Sequence, residues 1–541
     1  MEAQIVTQHL GHLGIVASVI KELKIIDIID AKLPVSKSKG SKVSMGERVA
    51  AMLLNGLGFL DNRLYMHSQF FENKPIKELL GSEVEAEDLH DDALGACLDR
   101  MYNYGVTKLF GEIAIEIADN KKLLDRMCRI DTTSLSVFGD YEEQESDAIE
   151  INLGFSKQKR FDLKQVVLSL TMNGKANIPI WVEGLSGNTS DKTSLRNTVN
   201  KIEKFQKALR NAEDFIYVAD AAMYDKKLLD YKALRWISRV PSTIKEAREL
   251  CSKDFKDCQW QKLDSNYKYI TVISNYGDID QRWQLIYSDV SYSKQIKTLE
   301  KNITKEREQL TKDIWHLGNK SYACKADAED AILVLNKKQK YHNIKYELQA
   351  VEKYSTKGKP KPDSLKVLVG YKVISEISLD SKRVINNKRK CGRFIIATNV
   401  SAAELPSDQL LPEYKKQSNV EQGFKFIKNN EFMLSSIYLK KNSRIEALMM
   451  IMALCLMVYN FGQYKIREAL IKNQDSIPDQ VKKQTSNPTL RWIFHILDKI
   501  TVVKIYSNNV LIKSCVANLC DISKKIIRYF GDHALKIYDF A

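Results

Sequence analysis

The sequence predicts a multidomain α/β protein, and three observations carry that prediction. Its 541 residues, 44% of them hydrophobic, are enough for three or four domains of about 100–200 residues each. Four short runs rich in β-branched and aromatic residues follow one another between about 126 and 220, with a helical pattern before the last, which is the signature of a mixed sheet. Helical periodicity dominates on both sides of that block.

In chain order, residues 1 to about 120 read as helical. LGHLGIVASVIKELKIIDIID places Leu13, Val16, Ile20 and Leu23 at helical spacing, and 44–57 and 91–118 suit amphipathic helices. KLPVSKSKGSK between the first two is a loop. The strands follow as CRIDTTSLSVFG, QVVLSLTMNG, IPIWVEGLSG and DFIYVADAAMY, with a helical pattern at 192–212. Residues 245–390 break this rhythm. YKYITVISNYG and RWQLIYSD are β-rich, a charged helical stretch covers 293–352, and TKGKPKPD is a loop. One more strand, GRFIIATNV, precedes helices at 407–429 and 443–472 and a helical group from about 488. The expected domains are therefore a helical 1–120, a sheet core in two parts at 121–244 and 391–472, an intervening 245–390, and a helical 473–541. No period of 20–50 residues repeats, which excludes a solenoid.

Composition narrows the function classes. The formal charge of +15 and a pI of about 9.1 favour a polyanionic partner. Nine Cys without a CxxC pair exclude a disulfide scaffold and a zinc ribbon, and eight His without an HxxxH pair argue against a His-based zinc site. No GxxxxGK[ST] motif is present, so a nucleotide cofactor is not expected. The N-terminus lacks the features of a signal peptide, and unpaired Cys97, Cys128 and Cys455 fit a reducing cytoplasm. The apolar run ALMMIMALCLMVY at 447–459 falls short of the ~20 residues of a membrane span and suits a buried helix. The charge is unevenly spread. Residues 1–120 carry a net −6, 351–394 a net +8 and 431–541 a net +7, so phosphate contact is expected in the last two. Lys32, Lys37, Lys39, Lys42 and Arg48 form a local basic cluster in the N-terminal part.

Three carboxylates sit where chemistry can use them. Asp131 lies in or at the end of the first strand of the block, Asp220 ends FIYVAD, and Glu421 lies on a helix soon after GRFIIATNV. Active sites of open α/β sheets gather at strand ends and adjacent helices. Three converging carboxylates repel one another unless a divalent cation sits among them, and oxygen-only ligation suits Mg²⁺ or Mn²⁺. Two such ions about 4 Å apart can activate one oxygen and stabilise another at a phosphodiester. Tyr414, Gln417, Glu421 and Lys428 are spaced 3, 4 and 7, which at about 100° per residue puts them on one face of a helix, offset from a buried stripe of Val420, Phe424 and Ile427. The competing reading makes each Asp a turn or cap residue and pairs Glu421 with Lys425 on the surface.

These residues resemble bacterial insertion-sequence transposases with a DDE triad on an RNase H-like core, within the IS-four-like superfamily. That group's signature Tyr-x2-Arg-x3-Glu-x6-Lys reads YKKQSNVEQGFKFIK here, with Gln417 in place of Arg. Gln cannot clamp phosphate as a bidentate ion, so either that contact is lost or Lys415, Lys416 or Lys425 supplies it. DTTSLSVFGD and VADAAMY resemble the two Asp motifs, and the long interval between Asp220 and Glu421 matches the family's insertion domain. The resemblance implies that Asp131, Asp220 and Glu421 hold two Mg²⁺ or Mn²⁺ ions. It also implies that Tyr414, Gln417, Lys425 and Lys428 contact DNA. The implied activity is cleavage at the element ends followed by transfer of the freed 3′-OH into target DNA. The implied partners are terminal inverted repeats and target DNA, held by a homodimer in a bacterial cytoplasm, close to the nucleoid. A catalytically decayed DNA-binding protein and an RNase H-like nuclease are the alternatives. Asp140 reads as a turn residue, Asp191 as a helix cap and reserve ligand, and His90 with Asp91 and Asp92 as a cap rather than a metal site.

Overall fold

The structure is a computed structural model. It describes residues 3–35, 42–58, 67–81, 84–142, 144–156, 159–190, 197–204, 215–225, 234–355, 365–428 and 439–539. Lys37, Lys39 and Asp191, and the lysines of KGKPKP, lie outside them. Two compact units are present: the first comprises Met1–Ile237 and Pro412–Ala541, and the second, Ser238–Leu411, interrupts it in sequence. The interruption is longer at both ends than the expected 245–390.

The first unit opens on a strand, β1 (Ala3–His9), where helix was expected. Helices Leu13–Glu22, Ile25–Lys32 and Met45–Gly56 follow. Ser44 and Glu47 form a capping box that fixes the start of the third, with Glu47 N–H donating to Ser44 Oγ at 3.1 Å and Ser44 N–H to Glu47 Oε2 at 2.7 Å. The single helix expected at 91–118 is two, Asp91–Tyr104 and Val106–Asn120, broken at Gly105, whose φ of +99° glycine alone tolerates readily.

The core sheet then forms as read. β2 (Met127–Ser136), β3 (Gln165–Asn173) and β4 (Ile178–Ser186) make an antiparallel meander, and β5 (Ile216–Ala219) joins β2 in parallel. The strand order is β4-β3-β2-β5-β6, where β6 is Arg235–Arg239. All nine residues of β3 are buried, as expected for a central strand covered on both faces. Of the helical pattern at 192–212, residues 197–204 are described and are helical.

The second unit has a strand layer ordered β12-β9-β8-β7, from β7 (Gln261–Lys262), β8 (Tyr267–Ser274), β9 (Gln281–Ser288) and β12 (Arg393–Thr398). It also has a separate cluster in which helices Asp289–Asn319 and Lys325–Lys337 pack on a hairpin of β10 (His342–Tyr354) and β11 (Lys366–Leu379). The hairpin corrects the expectation of helix through 352. Ile344 and Leu348 alternate inward toward Leu310 and Ile332, and the charged residues between them face out.

Back in the first unit, the Asn442–Lys472 helix is the centre of the core. It packs against β4 and against the Leu13–Glu22, Met45–Gly56 and Asp91–Tyr104 helices. Its most apolar window is 83% buried in protein, so the run at 447–459 is core, as read. The C-terminal region is not wholly helical, contrary to expectation. β13 (Thr501–Ser507) pairs with β1 and with β14 (Val510–Ala517) in a three-stranded sheet. Part of the charge asymmetry is satisfied internally. Lys504 pairs with Glu78 at 3.0 Å, Arg444 with Asp99 at 2.7 Å, and Lys465 with Glu22, so several C-terminal cations answer the acidic N-terminal part.

Candidate active site

The geometry begins with strand register. β2 and β5 pair in parallel through Met127↔Ile216, Cys128↔Tyr217 and Arg129↔Val218. Asp131 lies two residues beyond Arg129 in β2, and Asp220 two residues beyond Val218, just past the carboxyl end of β5. Arg129 and Asp131 share one face of β2, because strand side chains alternate. Both carboxylates are anchored locally: Asp131 Oδ1 accepts from Thr132 N–H at 2.7 Å, and Asp220 Oδ1 from Ala222 N–H at 2.9 Å. Asp220 is exposed and Asp131 half-buried.

The helix that carries Glu421 comes over the same face. Leu170 of β3 is the cross-strand partner of Asp131, so the two side chains project together. The Ser418–Ile427 helix lies against β2 and β3. It approaches closely through Gly423, where an added Cβ would sit 3.0 Å from Leu456 Cδ2 and 3.8 Å from Leu170 Cδ2. Glu421, two residues earlier on this helix, is exposed.

The helix is not continuous with the one before it. Ser407–Lys415 ends, and hydrogen bonds from Gln417 N–H to Tyr414 O (3.0 Å), Asn419 N–H to Lys416 O (3.0 Å) and Val420 N–H to Gln417 O (3.1 Å) tighten the chain into an i→i+3 turn. That turn changes the face assignment. Gln417 joins Val420, Phe424 and Ile427 on the buried side and is only 6% exposed. Its Nε2 donates to the carbonyl of Ile130 at 2.8 Å. The expected DNA-facing position of Gln417 is therefore corrected: the side chain braces β2 next to Asp131 instead of facing solvent. Lys425 is exposed, and Tyr414 and Lys428 are half-buried.

One ion pair escaped the sequence reading. Arg129, 3% exposed in its side chain, donates to Glu413 at 3.0 Å, and Lys416 reaches the other Glu413 oxygen at 2.6 Å. The available signal was a basic residue inside the apolar run MCRI, since a buried Arg requires a partner.

As a donor set, Asp131, Asp220 and Glu421 are oxygen-only and accessible, which fits a hard divalent cation. Among the described residues, the one trio of potential ligands with donor atoms within 4.8 Å of one another is His90–Asp91–Asp92, so the three core carboxylates stand wider apart than that. A wider setting suits ions that share their shells with water and phosphate oxygens. The exposed His90 trio is explained by capping: His90 Nδ1 accepts from Ala93 N–H at 3.3 Å, and Asp91 from Asp92 N–H at 3.1 Å.

Residues 125–458 match the family described as "Transposase DDE domain", and residues 5–115 match a "Domain of unknown function (DUF4277)". No curated protein matches the chain. Among solved structures, a piggyBac transposase synaptic complex with hairpin DNA, determined by cryo-EM, aligns at 9% identity and a TM-score of 0.35, over 92% of this chain and 82% of that one. A likeness that distant carries no argument about this chain.

Proposed function

This chain belongs to the transposase DDE domain family, and on that premise we propose that it is a DNA transposase cutting at the ends of its own element and joining the freed 3′-OH to target DNA. The observation that supports the proposal is the parallel pairing of β2 with β5, which runs to two residues before Asp131 and Asp220, beneath a helix carrying Glu421 that lies against β2. The strand order β4-β3-β2-β5-β6, an antiparallel meander extended by a parallel strand, supports an RNase H-like core, and the interruption of the first unit by the second in sequence supports an insertion domain.

In this reading Asp131, Asp220 and Glu421 hold two Mg²⁺ or Mn²⁺ ions, which when bound activate an attacking oxygen and neutralise charge at the phosphodiester. Asp131 and Asp220 are held in place by Thr132 and Ala222 N–H. Gln417 and the Arg129–Glu413 pair fix β2 against the segment leading to Glu421. Lys425, with Lys428 and Tyr414, holds the DNA backbone near the scissile phosphate. The element's terminal repeats and target DNA are the partners, two ends require a homodimer, and the setting is a bacterial cytoplasm at the nucleoid.

The test incubates the purified full chain with DNA carrying the element ends, with Mg²⁺ or with EDTA. Metal-dependent cutting with joined products supports the proposal. Cutting without joining indicates a nuclease of the same fold. Binding without cutting indicates a decayed enzyme, the reading favoured by the missing signature Arg at Gln417.

A further inference from the structure

We propose that a polar cleft bordered by the Glu421 helix is a binding site for a single nucleotide, taking its base and its phosphate together. The cleft has a volume of about 810 Å³ and lies within the first unit. Pockets of ~300–1,000 Å³ hold small organic ligands. Its walls are the turn between β3 and β4, the Ser418–Ile427 helix, the second half of the Asn442–Lys472 helix and the segment at 487–489.

The chemistry of the walls selects the ligand. Six carboxamides line the cleft: Asn177, Asn419, Gln422, Asn460, Gln463 and Asn487. Each offers an acceptor and two donors side by side, the pattern that pairs with the edge of a nucleobase. Two of them are fixed in place: Asn460 Nδ2 donates to Asn177 O at 2.6 Å, and Gln463 Oε1 accepts from Leu490 N–H at 3.1 Å. Asn177 Oδ1 is buried with no hydrogen-bond partner among the described residues. Phe426 and Tyr459 supply packed rings 4.5 Å apart, and Tyr459 is fixed by Arg491 N–H donating to its hydroxyl at 3.2 Å. Rings of this kind bind any base through its face.

Lys175 and Arg467 bring two positive charges against the single carboxylate of Glu468. Arg467 is held by its Nε, which donates to Pro488 O at 2.8 Å. A neutral sugar would use the amides and rings but leave the excess positive charge unanswered, and an apolar ligand would strand the amides. A nucleotide satisfies all three groups.

The nucleotide comes either from solution or from an unpaired position in DNA; the second source rests on the transposase reading. In both cases the ligand touches Asn419 and Gln422, which flank Glu421, so occupancy fixes the helix that carries that carboxylate.

The test titrates the full chain, in EDTA, with deoxyadenosine monophosphate, and separately with deoxyadenosine and with inorganic phosphate. The monophosphate binds saturably and the two fragments at least about tenfold more weakly, the scale of a lost charge-assisted hydrogen bond. Lys175→Glu combined with Gln422→Leu weakens the monophosphate by about tenfold or more at an unchanged unfolding midpoint. A DNA hairpin with one unpaired 2-aminopurine then separates the sources. A fluorescence change with the wild type but not with the double variant assigns the site to DNA; no change assigns it to free nucleotide. Failure of the folded wild type to bind the monophosphate overturns the proposal, as does equal binding by the double variant. EDTA keeps this result independent of whether the carboxylates cleave DNA.

Discussion

The side-chain amide of Gln417 donates to the carbonyl of Ile130 at 2.8 Å, which ties the approach to the Glu421 helix to the residue before Asp131. Gln417→Ala leaves that carbonyl unanswered, in a position only 6% exposed, and should lower the unfolding free energy by about 1–3 kcal/mol in a urea titration. Gln417→Arg restores the family's signature residue but places a charge in the same buried slot, so it should destabilise at least as much. If Gln417 instead acted on phosphate, the Arg variant would keep its stability and bind DNA more tightly, and that outcome would discard the bracing role.

Under the proposed function, Asp131 and Asp220 contribute charge rather than shape. Asp131→Asn and Asp220→Asn each keep an acceptor for the Thr132 and Ala222 N–H groups and lose the negative charge. Unfolding midpoints should hold, with stability changes within about 0.5 kcal/mol, while Mn²⁺ binding by calorimetry and end cleavage both disappear. Glu421→Gln, at an exposed position, should behave the same way. Wild-type cleavage in any one of the three removes that residue from the site.

The parts of the fold that could be read from the sequence are those with local signals. β2 to β5 announce themselves as short β-branched runs, and the apolar 447–459 run announces a buried helix. What escaped depends on distant partners. β1 is seven residues whose ladder lies on β13, almost five hundred residues away, and nothing nearby in sequence marks it. The β10–β11 hairpin carries Lys345 and Glu347 between inward apolar residues, and that charge density imitates a solvated helix. The parallel register of β2 with β5 is equally nonlocal, although both strands are legible from their own residues. Gln417 was misplaced for a different reason: spacing of 3, 4 and 7 assumes 100° per residue, and an i→i+3 turn advances further than that.

Arg129 and Glu413 form the second tie between β2 and the segment leading to Glu421, at 3.0 Å, with Arg129 almost fully buried. Glu413→Gln removes the counter-charge and leaves an uncompensated guanidinium inside the sheet, at a cost of about 3–5 kcal/mol. Arg129→Met, which removes the buried charge and keeps an apolar side chain, should cost clearly less. The order of the two variants in a denaturant titration is the check, and equal losses would mean that Lys416, 2.6 Å from Glu413, carries the interaction instead.

Glu446 gives the fold a pH dependence. Burial pushes its carboxyl up to about 7; the nearby Glu183 adds to the rise, and a hydrogen bond to Ile149 and the charge of Lys201 oppose it. With the folded value above the ordinary 4.5, the native state holds a proton that the unfolded chain has released between about pH 4.5 and 7. Stability from this group is therefore complete below that window and falls as pH rises through it, by roughly 3 kcal/mol at most. His12 acts in the opposite sense. Burial, with its ring stacked on Phe494, pushes it down to about 4 against the opposing hydrogen bond to Leu57 O at 2.9 Å, so it stabilises above pH 6.5 and loses that contribution as pH falls. In the wild type the two slopes largely cancel near pH 5–6, and only a variant separates them. Glu446→Gln should leave stability at pH 5 nearly unchanged relative to wild type and raise it at pH 8. Chemical unfolding at the two pH values reads the difference, and a variant equally stable relative to wild type at both would show that Glu446 ionises normally in the fold.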